Sequence, residues 1–276
     1  MIDLDQYFQR IGYAGVATCE LATLRSIVLA HATSIPFECL DPLAGLAVSI
    51  EIDAIFEKLV CRRRGGYCFE QNALLAAVLR RVGFEVDELS ARVWYNTPAG
   101  TTPPRTHVFL AVTVDGIRWL ADCGLGGSTP CGLMELDRIG VDQPLLGETR
   151  RIVRIDGRLV PTFMHQVRHG DAWSDIYEFT GEAMPKSDQA MANWWAGSHP
   201  ESKFRKNLIV AVLNRDGTRY ALVNKEFVHR RSSEVLERIE IGNLDHLLDL
   251  LCERFGLELP KPDAAAFLSG GILPQD

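Results

Sequence analysis

The chain lacks most of what would place it outside the ordinary small-molecule enzymes. No apolar run approaches the roughly 18 residues of a membrane span, and Met1-Ile2-Asp3-Leu4-Asp5 is charged at once, without the apolar core of a signal peptide. A soluble, cytoplasmic protein with no membrane partner is expected. Basic charge is in deficit: 29 Lys and Arg stand against 36 Asp and Glu, a formal charge of −7. That is the reverse of a nucleic-acid footprint, and Arg62-Arg63-Arg64 is too short to change it. The seven cysteines include no C-x-x-C pair, so neither zinc nor a disulfide framework is indicated and reduced thiols are expected. His165 and His169 are four apart in strand-like surroundings, where that spacing does not converge on a metal. There is no phosphate loop with its lysine, no internal repeat and no low-complexity segment.

What is present begins with Arg64-Gly65-Gly66-Tyr67-Cys68-Phe69-Glu70-Gln71-Asn72. After the two glycines, Leu74, Leu75, Val78, Leu79 and Val82 recur at helical spacing and stop at Gly83, which predicts a helix with Cys68 in its first turn. Free N–H groups and the positive end of a helix dipole favour a thiolate there, although most free cysteines are small buried hydrophobes. A nucleophile needs a base and an orienting acid. The stretch Thr106 to Gly124 holds both, in two strand-like runs joined by Asp115-Gly116. With a two-residue turn, Val114 faces Ile117, His107 faces Gly124 and Phe109 faces Asp122. Val108, Leu110, Val112, Val114, Ile117, Trp119, Ala121 and Cys123 then share an apolar face, expected to be the core face. His107 and Asp122 share the other as diagonal neighbours, within reach of one hydrogen bond. Asn72, one helical turn after Cys68, falls on the same helix face and is a candidate to hold Asp122.

An α+β fold in three subdomains follows from periodicity. Residues 1–84 read as a helical bundle carrying the nucleophile, with apolar stripes at Leu4, Tyr7, Phe8, Ile11, at Leu21, Leu24, Ile27, Val28 and at Ile52, Ile55, Phe56, Leu59. Residues 85–195 read as short strands with hairpins at Asp115-Gly116 and Asp156-Gly157, the pattern of an antiparallel barrel or sandwich carrying His and Asp. Residues 196–276 read as an α/β lid, with a turn at Asp216-Gly217 and a helix that Asn243 caps and Gly256 ends. The tail from Ala264 to Asp276 is expected to be loosely held.

In order, Ile35-Pro36-Phe37-Glu38, Arg64 to Asn72, Thr106-His107-Val108, Asp122-Cys123-Gly124-Leu125-Gly126 and Ser202 to Leu208 resemble the arylamine N-acetyltransferases, and the Arg-Gly-Gly-x-Cys block is specific. The resemblance covers nearly the whole chain. It implies a cysteine-protease or transglutaminase-like core and a Cys68, His107, Asp122 triad. It also implies acetyl transfer from acetyl-CoA to arylamine or hydrazine nitrogen through an acetyl-cysteine, in xenobiotic metabolism. Acetyl-CoA is implied as a cosubstrate, with no tightly bound cofactor and no metal, in a monomer or homodimer. It implies substrate or cosubstrate contacts at Phe37, Val93, Gly124, Leu125, Gly126, Gly127 and Phe204. An ion pair of Glu38 with Arg64, together with Asn72, is implied as structural support. The run Gly124 to Thr129 is a candidate anion cradle, and Lys203, Arg205 and Lys206 are candidates for the phosphates of CoA. The chain departs from the usual pattern at Leu125, where an aromatic is common, at Cys39, where asparagine is usual, and at Cys123, where valine is commoner. The same triad would also serve a cysteine hydrolase or transglutaminase-like acyl transferase. A non-catalytic acyl-CoA-binding or oxidant-sensing protein is the remaining alternative.

Overall fold

Capping and chain breaks set the helical region. The computed structural model describes residues 2–98 and 100–259, so the expected loose tail lies outside the described residues. Helix α1 (Leu4–Ile11) is opened by Asp3, whose carboxylate accepts from the Gln6 N–H, and is closed by Gly12 at φ 66°. Helix α2 (Leu21–Ser34) stops before Ile35-Pro36, because the residue preceding a proline is forced out of the helical region. Strand β1 (Phe37–Glu38), the short α3 (Leu40–Leu43) and α4 (Ile52–Phe56) follow, and α4 runs on into a π turn at Glu57–Cys61. Helix α5 (Cys68–Val82) ends at Gly83, φ 115°. Every residue from Cys68 to Ala76 is buried, so α5 is the central rod around which the other helices and a sheet pack.

The middle of the chain forms one antiparallel sheet of eight strands: β2 (Glu85–Val93), β3 (His107–Val114), β4 (Ile117–Ala121), β5 (Met134–Glu135), β6 (Gln143–Leu145), β7 (Glu148–Ile155), β8 (Thr162–His169) and β9 (Ala172–Ala183). Their order is β5-β4-β3-β2-β9-β8-β7-β6, and the curled sheet is nearly closed into a barrel. The seam between β5 and β6 is made by a side chain: Gln143 Nε2 donates to the Glu135 carbonyl at 3.0 Å, and Gln143 Oε1 accepts from the Glu135 N–H at 2.8 Å. The Asp115-Gly116 hairpin has the expected register, Val114 with Ile117 and Leu110 with Ala121. Strands β7 and β8 do pair, but through a six-residue connection, since Ile155 is opposite Thr162.

Parity sorts the β3–β4 hairpin correctly, but the idea of a single core face does not hold. Leu110, Val112, Val114, Trp119, Ala121 and Cys123 pack on the helices. Phe109, Ala111 and Leu120 are equally buried and fill the barrel interior. A sheet covered on one face and curled around its own core on the other has no solvent face. Ile117 is the exception to the expected burial, 45 % exposed, because it sits at the turn where the hairpin projects past α5.

The last part of the chain adds α6 (Lys186–Ser198), the single turn α7 (Lys203–Lys206), strands β10 (Ile209–Leu213), β11 (Arg219–Val223), β12 (Glu226–Arg231) and β13 (Glu234–Glu240), and α8 (Leu244–Phe255). Asn243 caps α8 and Gly256 ends it, as the sequence requires. The four strands extend a five-stranded sheet ordered β1-β10-β11-β12-β13, so Phe37–Glu38 is built into the sheet of the last third of the chain.

Candidate functional site

Cys68 is positioned by a turn that only glycine can make. A Cβ on Gly65 would stand 2.2 Å from the Pro36 carbonyl oxygen, and one on Gly66 would stand 2.6 Å from a Glu70 carboxylate oxygen. The turn lies flat against Pro36–Glu38, held by Glu38 N–H to the Gly66 carbonyl (3.2 Å) and Gly66 N–H to the Pro36 carbonyl (3.3 Å). The amide of Gln71 ties the same turn down, donating to Pro36 (2.8 Å) and Gly66 (3.2 Å), while its oxygen meets His31, which meets Tyr7. Glu70 accepts from the Tyr67 N–H, closing the capping box at the start of α5.

The expected Glu38–Arg64 pair forms at 2.7 Å, within a larger cluster. Arg64 also meets Asp41 at 2.9 Å, and Lys58 meets Asp41 at 2.6 Å and Glu70 at 2.7 Å. Here three carboxylates share two cations. Burial opposes the charge on both Lys58 and Arg64, but the carboxylates more than offset it and raise both pKa values. Glu70 takes the deficit. Burial, and then Glu38, outweigh Lys58 and push it up to about 7.

The facing wall comes from the β3–β4 hairpin. His107 and Asp122 lie where the hairpin splays, beyond its last ladder pair, and the diagonal reach is realised: His107 Nε2 lies 2.7 Å from Asp122 Oδ2. Both are buried, so the surface-histidine alternative fails. Asp122 Oδ1 accepts from Asn72 Nδ2 (3.0 Å) and from the Gly124 N–H (2.9 Å). Asn72 also donates to the Val108 carbonyl (2.7 Å) and accepts from the Cys123 N–H (3.0 Å), stitching α5 to both strands.

With Nε2 on Asp122, the other ring nitrogen of His107 is left for Cys68. Burial disfavours the imidazolium, yet the Asp122 charge, a side-chain hydrogen bond with Cys68 and the Cys68 charge raise the His107 pKa to about 10. For Asp122, burial is outweighed by His107, Asn72 and Gly124, and the carboxyl is held below its usual range. Cys68 Sγ also meets the Thr106 carbonyl at 3.7 Å. Gly124 presses on the nucleophile's backbone, where a Cβ would stand 2.5 Å from Cys68 Cα.

The remaining sequence candidates divide. Phe37 and Phe204 pack 5.9 Å apart beside Tyr67, and Val93 and Leu125 lie half-buried on the barrel core. The Gly124–Thr129 run is less of a cradle than expected: the N–H groups of Gly124, Leu125, Ser128 and Thr129 are spent inside the turn, leaving Gly126 and Gly127. Arg205 and Lys206 are engaged locally, with the Pro42 carbonyl and Glu201. Cys39 links β1 to β10, its sulfur accepting from the Ile209 N–H at 3.3 Å, while Cys123 is buried against Val28. His165 and His169 belong to no cluster of three or more metal-ligating side chains among the described residues; His165 is buried and meets Arg150.

Sequence reasoning missed Lys58, Gln71, Tyr177 and a cavity. Tyr177 on β9 lies 5.3 Å from the His107 ring and 4.7 Å from the His165 ring; burial, with Asp122, raises its hydroxyl pKa. The cavity, about 1080 Å³, runs between α6 and the loop before β3, lined by Pro104, Arg105, Thr106, Met184, Met191 and Trp195. The alternation of β9 marks Tyr177 as inward-facing, but nothing local pairs it with His107.

The chain is similar to known proteins along nearly its whole length. A family model described as N-acetyltransferase matches residues 20–264. The chain is 40 % identical over 264 residues to an arylamine N-acetyltransferase of Mycobacterium tuberculosis, covering 94 % of this chain and 90 % of the relative. It is 35 % identical over 254 residues to that of Escherichia coli, covering 92 % and 88 %. The solved arylamine N-acetyltransferase of Salmonella typhimurium superposes with a TM-score of 0.89 at 33 % identity, over 96 % of this chain and 97 % of that one. The Mycobacterium marinum structure in complex with CoA gives 0.88 at 34 % identity, over 96 % and 98 %.

Proposed function

The chain belongs to the arylamine N-acetyltransferase family and is an acetyltransferase, and from that premise we propose that Cys68 carries the acetyl group between acetyl-CoA and the nitrogen of an arylamine, arylhydrazine or hydrazide. The reaction is double displacement. The Cys68 sulfur attacks the thioester carbonyl, the tetrahedral oxyanion collapses, and the CoA thiolate leaves with a proton from His107. One thioester replaces another, so the intermediate costs little. The neutral amine then attacks acetyl-Cys68, His107 takes its proton, and collapse returns the thiolate.

The observation that carries this reading is the position of His107, fixed through Nε2 by Asp122 and interacting with the Cys68 side chain. With its pKa raised to about 10, His107 holds a proton at neutral pH and can deliver it to the leaving thiolate. Acetylation takes the Cys68 side chain out of the interactions that raise that pKa, so the same ring becomes the better base when the amine arrives. The Cys68 N–H has no acceptor among the described residues and is a donor for the oxyanion. The cavity beside Thr106 has the volume for an acyl donor, and Phe37, Phe204, Val93 and Leu125 offer an apolar wall to an aromatic acceptor.

Intact-protein mass spectrometry after mixing with acetyl-CoA and no amine tests the proposal. One acetyl group should appear on the wild type and leave on addition of a hydrazine, with none on Cys68→Ala. A wild type that stays unmodified, or a Cys68→Ala variant with normal turnover, would sink it. Acyl turnover without CoA would point to the hydrolase chemistry.

A further inference from the structure

Three successive backbone carbonyls behind the site each accept from a different arginine. The Gly127 carbonyl takes Arg230 Nη2 at 2.6 Å, the Ser128 carbonyl takes Arg150 Nη2 at 2.8 Å, and the Thr129 carbonyl takes Arg219 Nη1. Arg150 comes from β7 of the barrel, whereas Arg219 and Arg230 come from β11 and β12, where they stand directly opposite each other. Like charges placed that way repel. The three are not equivalent. Arg150 and Arg219 are buried and share the carboxylate of Glu148, at 2.8 Å and 2.7 Å. Arg230 has no carboxylate partner among the described residues, and its Nε is buried without a hydrogen bond. An unpaired guanidinium in that state adds little to stability; what it supplies is one charge-assisted hydrogen bond to Gly127.

The turn held in this way has its other side on the site. A Cβ on Gly124 would stand 2.5 Å from Cys68 Cα, and one on Gly126 would stand 3.3 Å from the Phe37 ring. Both ends of the turn are fixed without Arg230, Gly124 by Asp122 and Thr129 by Arg219. Between them the turn's own bonds are long, Leu125 N–H to Thr129 Oγ1 at 3.2 Å and Ser128 N–H to the Leu125 carbonyl at 3.4 Å, and Arg230 is the side chain that fixes Gly127. We propose that Arg230 is a positioning residue for the acceptor half of the reaction: through the Gly127 carbonyl it holds the Leu125–Gly127 turn, and with it the wall that an aromatic ring meets. This rests on the acetyl-transfer reading above. His107 and Asp122 are held by other bonds, so the loading of Cys68 does not depend on Arg230.

The test uses the full-length enzyme with acetyl-CoA as donor and aniline or hydrazine as acceptor. In a double displacement, kcat/KM for each substrate reports its own half-reaction, and hydrazine has no ring to need the wall. In Arg230→Met, kcat/KM for aniline should fall about tenfold, mostly through KM, the scale of one hydrogen bond to a charged group. The values for hydrazine and for acetyl-CoA should stay at the wild-type level, and the melting temperature should hardly move. Arg230→Lys should restore aniline, because a single nitrogen of the guanidinium reaches Gly127 and an ammonium can replace it. An equal fall for aniline and hydrazine, or a fall matched by lost thermal stability, overturns the proposal and leaves Arg230 a structural residue. Slower loading by acetyl-CoA with aniline unchanged overturns it as well and gives the arginine to the donor. A wild type that takes no acetyl group removes this proposal and the reading beneath it; an acetylated wild type whose Arg230→Met variant treats both acceptors as before removes this proposal alone.

Discussion

Two buried polar clusters flank Cys68, and they are built on opposite principles. On one side, Asp122 is held by a histidine, an amide and a backbone N–H, so a single carboxylate has a partner for each oxygen. On the other, Glu38, Asp41 and Glu70 share Lys58 and Arg64, and the imbalance falls on Glu70. The first arrangement fixes one ring in one orientation. The second fixes a loop, and does so at the cost of a group that titrates near neutrality. Precision of a proton-transfer group comes here from few, mostly uncharged donors, whereas the hold on the backbone comes from many charges, which are strong together and fragile singly.

Breaking the first cluster should cost activity far more than stability. Asp122→Asn keeps the shape but removes the charge that orients and protonates His107, so acetyl transfer should fall by on the order of 10³–10⁴-fold, measured as the rate of acetyl-enzyme formation, with the melting temperature little changed. A loss under tenfold would show that Asp122 is only structural. Breaking the second should do the reverse. Lys58→Met strands buried carboxylates and should destabilise by about 3–5 kcal/mol in urea unfolding. Gly124→Ala joins the two effects, because its methyl would meet Cys68 Cα; displacing the hairpin should cost about 1–3 kcal/mol of stability together with most of the turnover.

The smallest effect is the most diagnostic of the imbalance. Because the Glu70 pKa is raised in the folded state, its contribution to stability is fully present below the ordinary carboxyl value of 4.5 and is lost as pH rises through about 7. Glu70→Gln should therefore flatten the pH dependence of stability between those limits, read by thermal unfolding at several pH values. An unaltered slope would mean that another group takes up the proton. His107, also raised, contributes stability that is present below 6.5 and lost as pH passes about 10, so its loss belongs to the alkaline limb alone.

The hairpin was legible because its chemistry is local. A two-residue turn fixes every pair, and parity alone brings His107 and Asp122 to one face. The same rule could not say that both faces are buried, since that depends on how the sheet curls and what packs on it. Cys68 was legible from the glycines before it and the helix after it, and Asn72 from one helical turn. Lys58 was not, because a lysine in a charged stretch reads as solvated until Asp41 and Glu70 are seen around it. Gln71 was not, because its partners are backbone carbonyls, which leave no mark in a sequence. Phe37–Glu38 was read as a motif and not as a strand, its partner β10 lying far along the chain.

The seam closed by Gln143 gives the barrel a preferred place to breathe. Every other join between its strands is a backbone ladder, but β5 meets β6 through one amide side chain and two hydrogen bonds. Amide hydrogens of β5 and β6 should exchange with solvent sooner than those of β3, which has ladders on both sides. An opening at that seam would leave the strand that carries His107 paired on both sides and packed on α5.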